Sequence, residues 1–297
     1  MPYHAKRDST LLETLEAMFA GRSRRDLRQL VRDGKVLVNG AAAQDLRSPI
    51  RVGDTIECRE FGRTVEIHPA VRLLHEDAHI LVVEKGLGIL SSGGLKDGPA
   101  TVESVLRKHL YERGQHPVVY ACHRLDRDVS GVLLLAKSQA IANSVRDEPR
   151  RILAERVYRA VVEGKPEPAA GTIRSHLADG PDQVVRPVED PRQGKLCITH
   201  YRTLRSGAKY AELEVRLDTG RKNQIRAHLA EIHHPLAGDR KYGAKTDPVG
   251  RIALHAERLV ITHPATGEAM TFEAKAPAAF GQLFEENAPV DSPRATR

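Results

Sequence analysis

The nine residues His123-Arg124-Leu125-Asp126-Arg127-Asp128-Val129-Ser130-Gly131 set a carboxylate among cations immediately before an apolar run, Val132-Leu133-Leu134-Leu135-Ala136. A run of this length, bounded by Gly131 and Lys137, predicts a buried strand, which places Asp126 on a loop fixed to a rigid element. Guanidinium groups nearby favour the charged form of a carboxylate. Kept ionised at a strand end, such a group can act as nucleophile or base. The run alone also fits a surface turn with compensating charges.

The elements that would position this group follow from hydrophobic patterning. Ile80-Leu81-Val82-Val83 is a short β-type run, and Glu212-Leu213-Glu214-Val215-Arg216-Leu217 alternates with period two. With neither a βαβ rhythm nor a fixed repeat, the segment from 71 to 285 predicts an α+β domain around a mixed, largely antiparallel sheet. Ahead of it, residues 1–60 read as a separate small unit and 61–70 as a connector. Leu11, Leu12, Leu15 and Met18 recur at helical spacing behind a capping Ser9 or Thr10, with Gly21 as the stop. A second helix from Ser23 carries Arg24, Arg25, Arg28 and Arg32 opposite Leu27, Leu30 and Val31, and ends at Gly34 before Lys35. Val36-Leu37-Val38 then meets an Asn39-Gly40 turn, a strong hairpin signal, and Gly53-Asp54 precedes a closing strand from Thr55 to Cys58. The polar, proline-bearing tail 286–297 predicts disorder.

Composition narrows the partners. The 297 residues carry 46 Lys+Arg against 39 Asp+Glu, a formal charge of +7 that favours a polyanion, with nucleic acid ahead of an anionic membrane. No stretch approaches the ~20 apolar residues of a membrane span, and the first residues lack a signal-peptide core, so the expected location is the cytoplasm. Cys58, Cys122 and Cys197 are far apart, which supports neither a disulfide framework nor a zinc site. His228, His233 and His234 lack metal-ligand spacing, and Asp218-Thr219-Gly220 has no second copy with which an aspartic-protease pair could form.

Residues 1–60 resemble the S4 RNA-binding domain, through the basic second helix, Val38-Asn39-Gly40 and Gly53-Asp54-Thr55-Ile56. The resemblance implies RNA contact by Arg24, Arg25, Arg28, Arg32 and Lys35. Three further runs resemble the RluA-type pseudouridine synthases: the Asp126 run through Ala136-Lys137, Glu155 to Gly164 around Tyr158, and Thr219-Gly220-Arg221-Lys222-Asn223-Gln224-Ile225-Arg226-Ala227-His228-Leu229 with the following His234-Pro235-Leu236-Ala237-Gly238-Asp239 and Tyr242-Gly243. Val129 replaces the family's usual threonine, Arg156 a lysine, Lys222-Asn223 the commoner Thr-His, and Glu84 and Gly86 the Asn and Pro of an Asn-Lys-Pro-x-Gly loop. The resemblance implies a pseudouridine synthase fold with an active-site cleft. It implies isomerisation of uridine in RNA without metal or cofactor, with Asp126, Tyr158 and Arg226 catalytic and Arg124, Arg127, Arg221, Gln224 and His228 meeting substrate. Ribosomal RNA is the favoured substrate, transfer RNA a second, and a monomer suffices. A carboxylate beside an anomeric carbon also suits a nucleic-acid N-glycosidase, and the basic helix alone would suit a ribosome-associated protein that only binds RNA.

Overall fold

The computed structural model describes residues 3–19, 24–32, 36–58, 65–93, 98–180, 182 and 184–284, and the chain divides into two units, Met1–Arg63 and Thr64–Arg297. The smaller unit opens with β1 (Tyr3–His4) and β2 (Ser9–Thr10). Helix α1 (Leu11–Met18) starts at a capping box: Thr10 Oγ1 accepts from Glu13 N, and Glu13 accepts from Thr10 N. In α2 (Arg24–Arg32), Leu27, Leu30 and Val31 are buried with Leu11 and Leu15, while Arg24, Arg28 and Arg32 stay exposed. Strands β3 (Val36–Val38), β4 (Ala41–Ala42), β5 (Pro49–Ile50) and β6 (Thr55–Cys58) complete the unit, in a sheet of order β1-β6-β3-β4 with β2 and β5 paired apart. The two turn motifs are one structure. Asn39, at φ 51°, donates from Nδ2 to Asp54 and accepts at Oδ1 from Thr55 N, so the Asn-Gly and Gly-Asp turns lock together. Lys35 and Gly21 lie outside the described residues.

The larger unit is built on one long sheet. Its strands are β7 (Val65–His68), β8 (Val71–Glu76), β9 (Ile80–Lys85), β10 (Tyr120–Ala121), β11 (Ser130–Ala136), β12 (Glu155–Glu163), β13 (Ala170–Asp179), β14 (Val185–Val188), β15 (Lys195–Ser206), β16 (Tyr210–Leu217), β17 (Leu254–Thr262) and β18 (Ala269–Glu273). They run in the order β14-β13-β15-β16-β12-β17-β11-β9-β8-β7, with β10 beside β11 and β18 beside β17. Every pairing is antiparallel except β11 with β17, which makes the sheet mixed as expected. Within the expected connector 61–70, Val65–His68 is an edge strand paired with β8, and Ile67 packs partly buried against the core.

The continuous apolar character of β9 and β11 has a cause. Leu81, Val83, Leu133 and Leu135 face one side, against Val102, Leu106 and Leu110 of α3 (Val102–Glu112) and Ile225 and Leu229 of α6 (Gln224–Glu231). Ile80, Val82, Val132 and Leu134 face the other, against Val145 of α4 (Gln139–Asp147) and Ile152 of α5 (Pro149–Ile152). A strand covered on both faces has no polar side to alternate with. Near the C-terminal end, α7 (Ala278–Gln282) adds Phe280 to a smaller cluster on Val161 and Ala253.

Candidate active site

Asp126 ends the loop that leads into β11, and that loop is fastened from several sides. Ser91 Oγ donates to Leu125 O and accepts from Leu125 N, at 2.8 and 2.9 Å. Lys85, fully buried, donates from Nζ to the carbonyls of Gly86, Ile89 and Arg127. Burial pushes the Lys85 amine down to about 8 against the opposing pull of Asp128 and Asp126. His123 accepts the backbone N–H of Leu134 at Nε2, and burial holds its ring neutral, down at about 3. The motif histidine is therefore a fastening between loop and strand. At the other end, Gly131 has φ 124°, and a Cβ there would lie 2.2 Å from Ala256 O, so only glycine lets β11 run beside β17.

Arg226, on α6, lies between two carboxylates. Its Nη1 donates to Asp126 Oδ2 at 3.1 Å, while Nε and Nη2 form a bidentate pair with Asp239 at 2.7 and 2.8 Å. Burial alone would lower the Arg226 pKa, but the hydrogen bonds and charges of Asp239 and Asp126 outweigh it and raise it. The guanidinium also stacks on the Tyr242 ring at 4.8 Å. Tyr158 follows a register shift in β12 between Val157 and Tyr158, a bulge that turns its side chain toward the same cleft. Burial, with Asp126 adding to it and Arg156 opposing it, raises the phenol pKa, so Tyr158 is a neutral hydrogen-bonding group. The cleft is open to solvent and is lined by Arg124, Asp126, Tyr158, Arg221, Arg226 and the apolar Leu217 and Leu254 among others.

Of the other residues expected to meet substrate, Arg124 and Arg221 are exposed on this cleft. Gln224 borders it, but its amide is spent on the loop. It accepts from Thr219 Oγ1 and Arg221 N and donates to Ile198 O and Thr199 Oγ1. Arg127 is exposed, pairs with the neighbouring Asp128 at 3.2 Å, and is not among the residues that line the cleft. His228 is corrected. It is fully buried behind α6, bonded to Thr199 and Ser175, and burial lowers its pKa to about 4. Three residues that sequence reasoning left without a role belong to the site: Asp239, Asn223 and Tyr242. Gly238-Asp239 and Tyr242-Gly243 stand in the sequence as a possible signal, but nothing local marks Asp239 as the partner of Arg226. Among the described residues, no group of His, Cys, Asp and Glu is arranged to hold a metal ion.

A carboxylate held by a buried guanidinium stands here beside a neutral phenol, an apolar wall and a cationic mouth. The family model for RNA pseudouridylate synthase matches residues 79–231, about half of the chain, and the S4 domain model matches residues 11–56. The ribosomal large subunit pseudouridine synthase D of Pasteurella multocida is 31% identical over 92% of this chain and 89% of its own length. The uncharacterized RNA pseudouridine synthase YjbO of Bacillus subtilis is 32% identical over 72% and 75%. Human RNA Pseudouridylate Synthase Domain Containing 4 superposes with a TM-score of 0.57 at 25% identity, covering 70% of this chain and 90% of that one. The chain belongs to the RNA pseudouridine synthase family, with an N-terminal S4 domain, and is an isomerase acting on RNA.

Proposed function

We propose that this protein isomerises uridines of ribosomal RNA, with Asp126 as the group against which the glycosidic bond breaks. The N1–C1′ bond is cleaved, the uracil turns, and a C5–C1′ bond forms; the proton lost from C5 is matched by one gained at N1. Product and substrate are isomers, so the balance needs no cofactor. Arg226 keeps the Asp126 oxygen aimed, and Tyr158 lines the face on which the base turns. Arg124 and Arg221 hold the nucleotide at the mouth. A base inside folded RNA must first leave its stack, at a cost of a few kcal/mol, which a cationic cleft and an S4 unit with Arg24, Arg25, Arg28 and Arg32 help to offset. The relatives named for the large ribosomal subunit support rRNA as substrate, and a cytoplasmic monomer is sufficient for it. Among the described residues, no helix is long and apolar enough to cross a membrane.

One observation carries the reading of the site: the 3.1 Å contact between Asp126 and Arg226 inside a cleft that also holds Tyr158. Asp126→Asn should abolish pseudouridine formation on large-subunit rRNA and leave RNA affinity within about threefold, since one carboxylate among many RNA-facing cations contributes little to binding. Pseudouridine mapping of treated and untreated rRNA reads this directly. Near-wild-type turnover by the variant would remove Asp126 from the chemistry, and release of free uracil would point to hydrolysis instead.

A further inference from the structure

Arg226 gives Asp126 a single hydrogen bond, from Nη1, while its Nε and Nη2 are turned to Asp239. The second support comes from Asn223. This residue precedes α6 at φ 52°, a left-handed conformation that asparagine tolerates better than most residues. In the usual N-cap role its side chain would serve the helix; here it makes no cap hydrogen bond. One terminal atom of its amide lies 3.0 Å from both Asp126 oxygens, and the other 3.1 Å from the Tyr242 hydroxyl. A carboxylate only accepts, so the atom facing Asp126 is Nδ2, and Oδ1 accepts from Tyr242. The Tyr242 oxygen in turn accepts the backbone N–H of Val185, at 3.1 Å. The chain runs from Val185 N through Tyr242 and Asn223 and ends on both oxygens of Asp126.

We propose that Asn223, oriented by Tyr242, is a positioning residue that fixes both oxygens of Asp126 with a donor that carries no charge at any pH. The proposal rests on the catalytic reading of Asp126. Around that carboxylate stand the cations Arg226, Arg124 and Arg221, Lys85 behind the loop, the phenols Tyr158 and Tyr242, and Asp239 on the far side of Arg226. None of these replaces the amide, since Asp239 and Lys85 are held by other partners. Lys222, the other departure in this loop, pairs with Asp179 at 2.6 Å and takes no part.

The test uses the full chain on rRNA, with kcat and KM measured from pH 6 to 8.5. Asn223→Gly keeps the backbone freedom and deletes the amide. It should lower kcat about tenfold with KM within about twofold, the scale of one hydrogen bond to a charged group. Asn223→Asp keeps shape but sets a second carboxylate against Asp126. Its loss should be about 100-fold at pH 8 and shrink towards tenfold at pH 6, as the pair takes up a shared proton. Tyr242→Phe should lower kcat a few-fold with an unchanged pH profile, and melting curves of all three establish that they are folded. Wild-type kcat in Asn223→Gly, or an Asn223→Asp profile parallel to that of wild type, would overturn the proposal. If Asp126→Asn is fully active, the catalytic reading fails first and takes this one with it.

Discussion

Two histidines in the runs that carry the family resemblance are held neutral by burial. His228 is fully buried and His123 half-buried, and desolvation pushes their pKa values to about 4 and about 3 from the ordinary 6.5. In each case the unfolded chain binds a proton that the folded one refuses. Their contribution is therefore complete above pH 6.5 and is lost as pH falls from there towards the folded values. His228→Gln should flatten the pH dependence of the melting temperature between pH 6.5 and 4, where the histidine accounts for up to roughly 3 kcal/mol. An unaltered slope would show that His228 takes up its proton without unfolding. Asp126, Tyr158 and Arg226 were legible because each sits in a run whose neighbours are informative. Gln224 and His228, four apart on α6, share a face, but that face looks onto β13 and β15, and only the depth of the helix in the fold decides this. Asp239 was illegible as a partner because its role exists only once thirteen residues of chain have folded back on Arg226.

At the scale of elements, the site depends on places where the regular sheet is interrupted. The bulge in β12 aims Tyr158, and the single parallel pairing, Ser130 with His255 and Gly131 with Ala256, brings the Asp126 loop beside the strand that carries Leu254. Gly131→Ala would put a methyl carbon within 2.2 Å of Ala256 O at a φ that L-residues avoid. A loss of roughly 3 kcal/mol or more is expected, read by denaturant unfolding, with turnover falling in parallel because the same contact sets the loop. A variant as stable as wild type would show that β11 and β17 can separate locally without cost. Strands β9 and β11 were legible as apolar runs, and their two-sided burial explains why. The edge strand Val65–His68 was not, because half of its residues face solvent and it reads as a charged linker. Gly220 has a similar silence: the side chain of Arg156 lies across it on the way to Leu217 O, a contact between distant segments.

For the molecule as a whole, the excess of cations is divided between two units with different duties. Removing residues 1–63 should weaken rRNA binding and make its salt dependence shallower, by about one unit of log–log slope for each arginine that meets a phosphate. The larger unit keeps its own core and should still unfold cooperatively. A truncated protein with an unchanged salt slope would remove the S4 unit from RNA contact. Arg24 is the weakest of its candidates, since Glu16 already holds it at 2.8 Å. Within the larger unit, the buried end of the cleft sets Asp126 and Asp239 against Arg226, with the Lys85 ammonium close behind the loop, while Arg124 and Arg221 are exposed on the cleft. A phosphodiester that approaches this cleft would meet its complement at the exposed arginines, while the charges further in are already matched to one another.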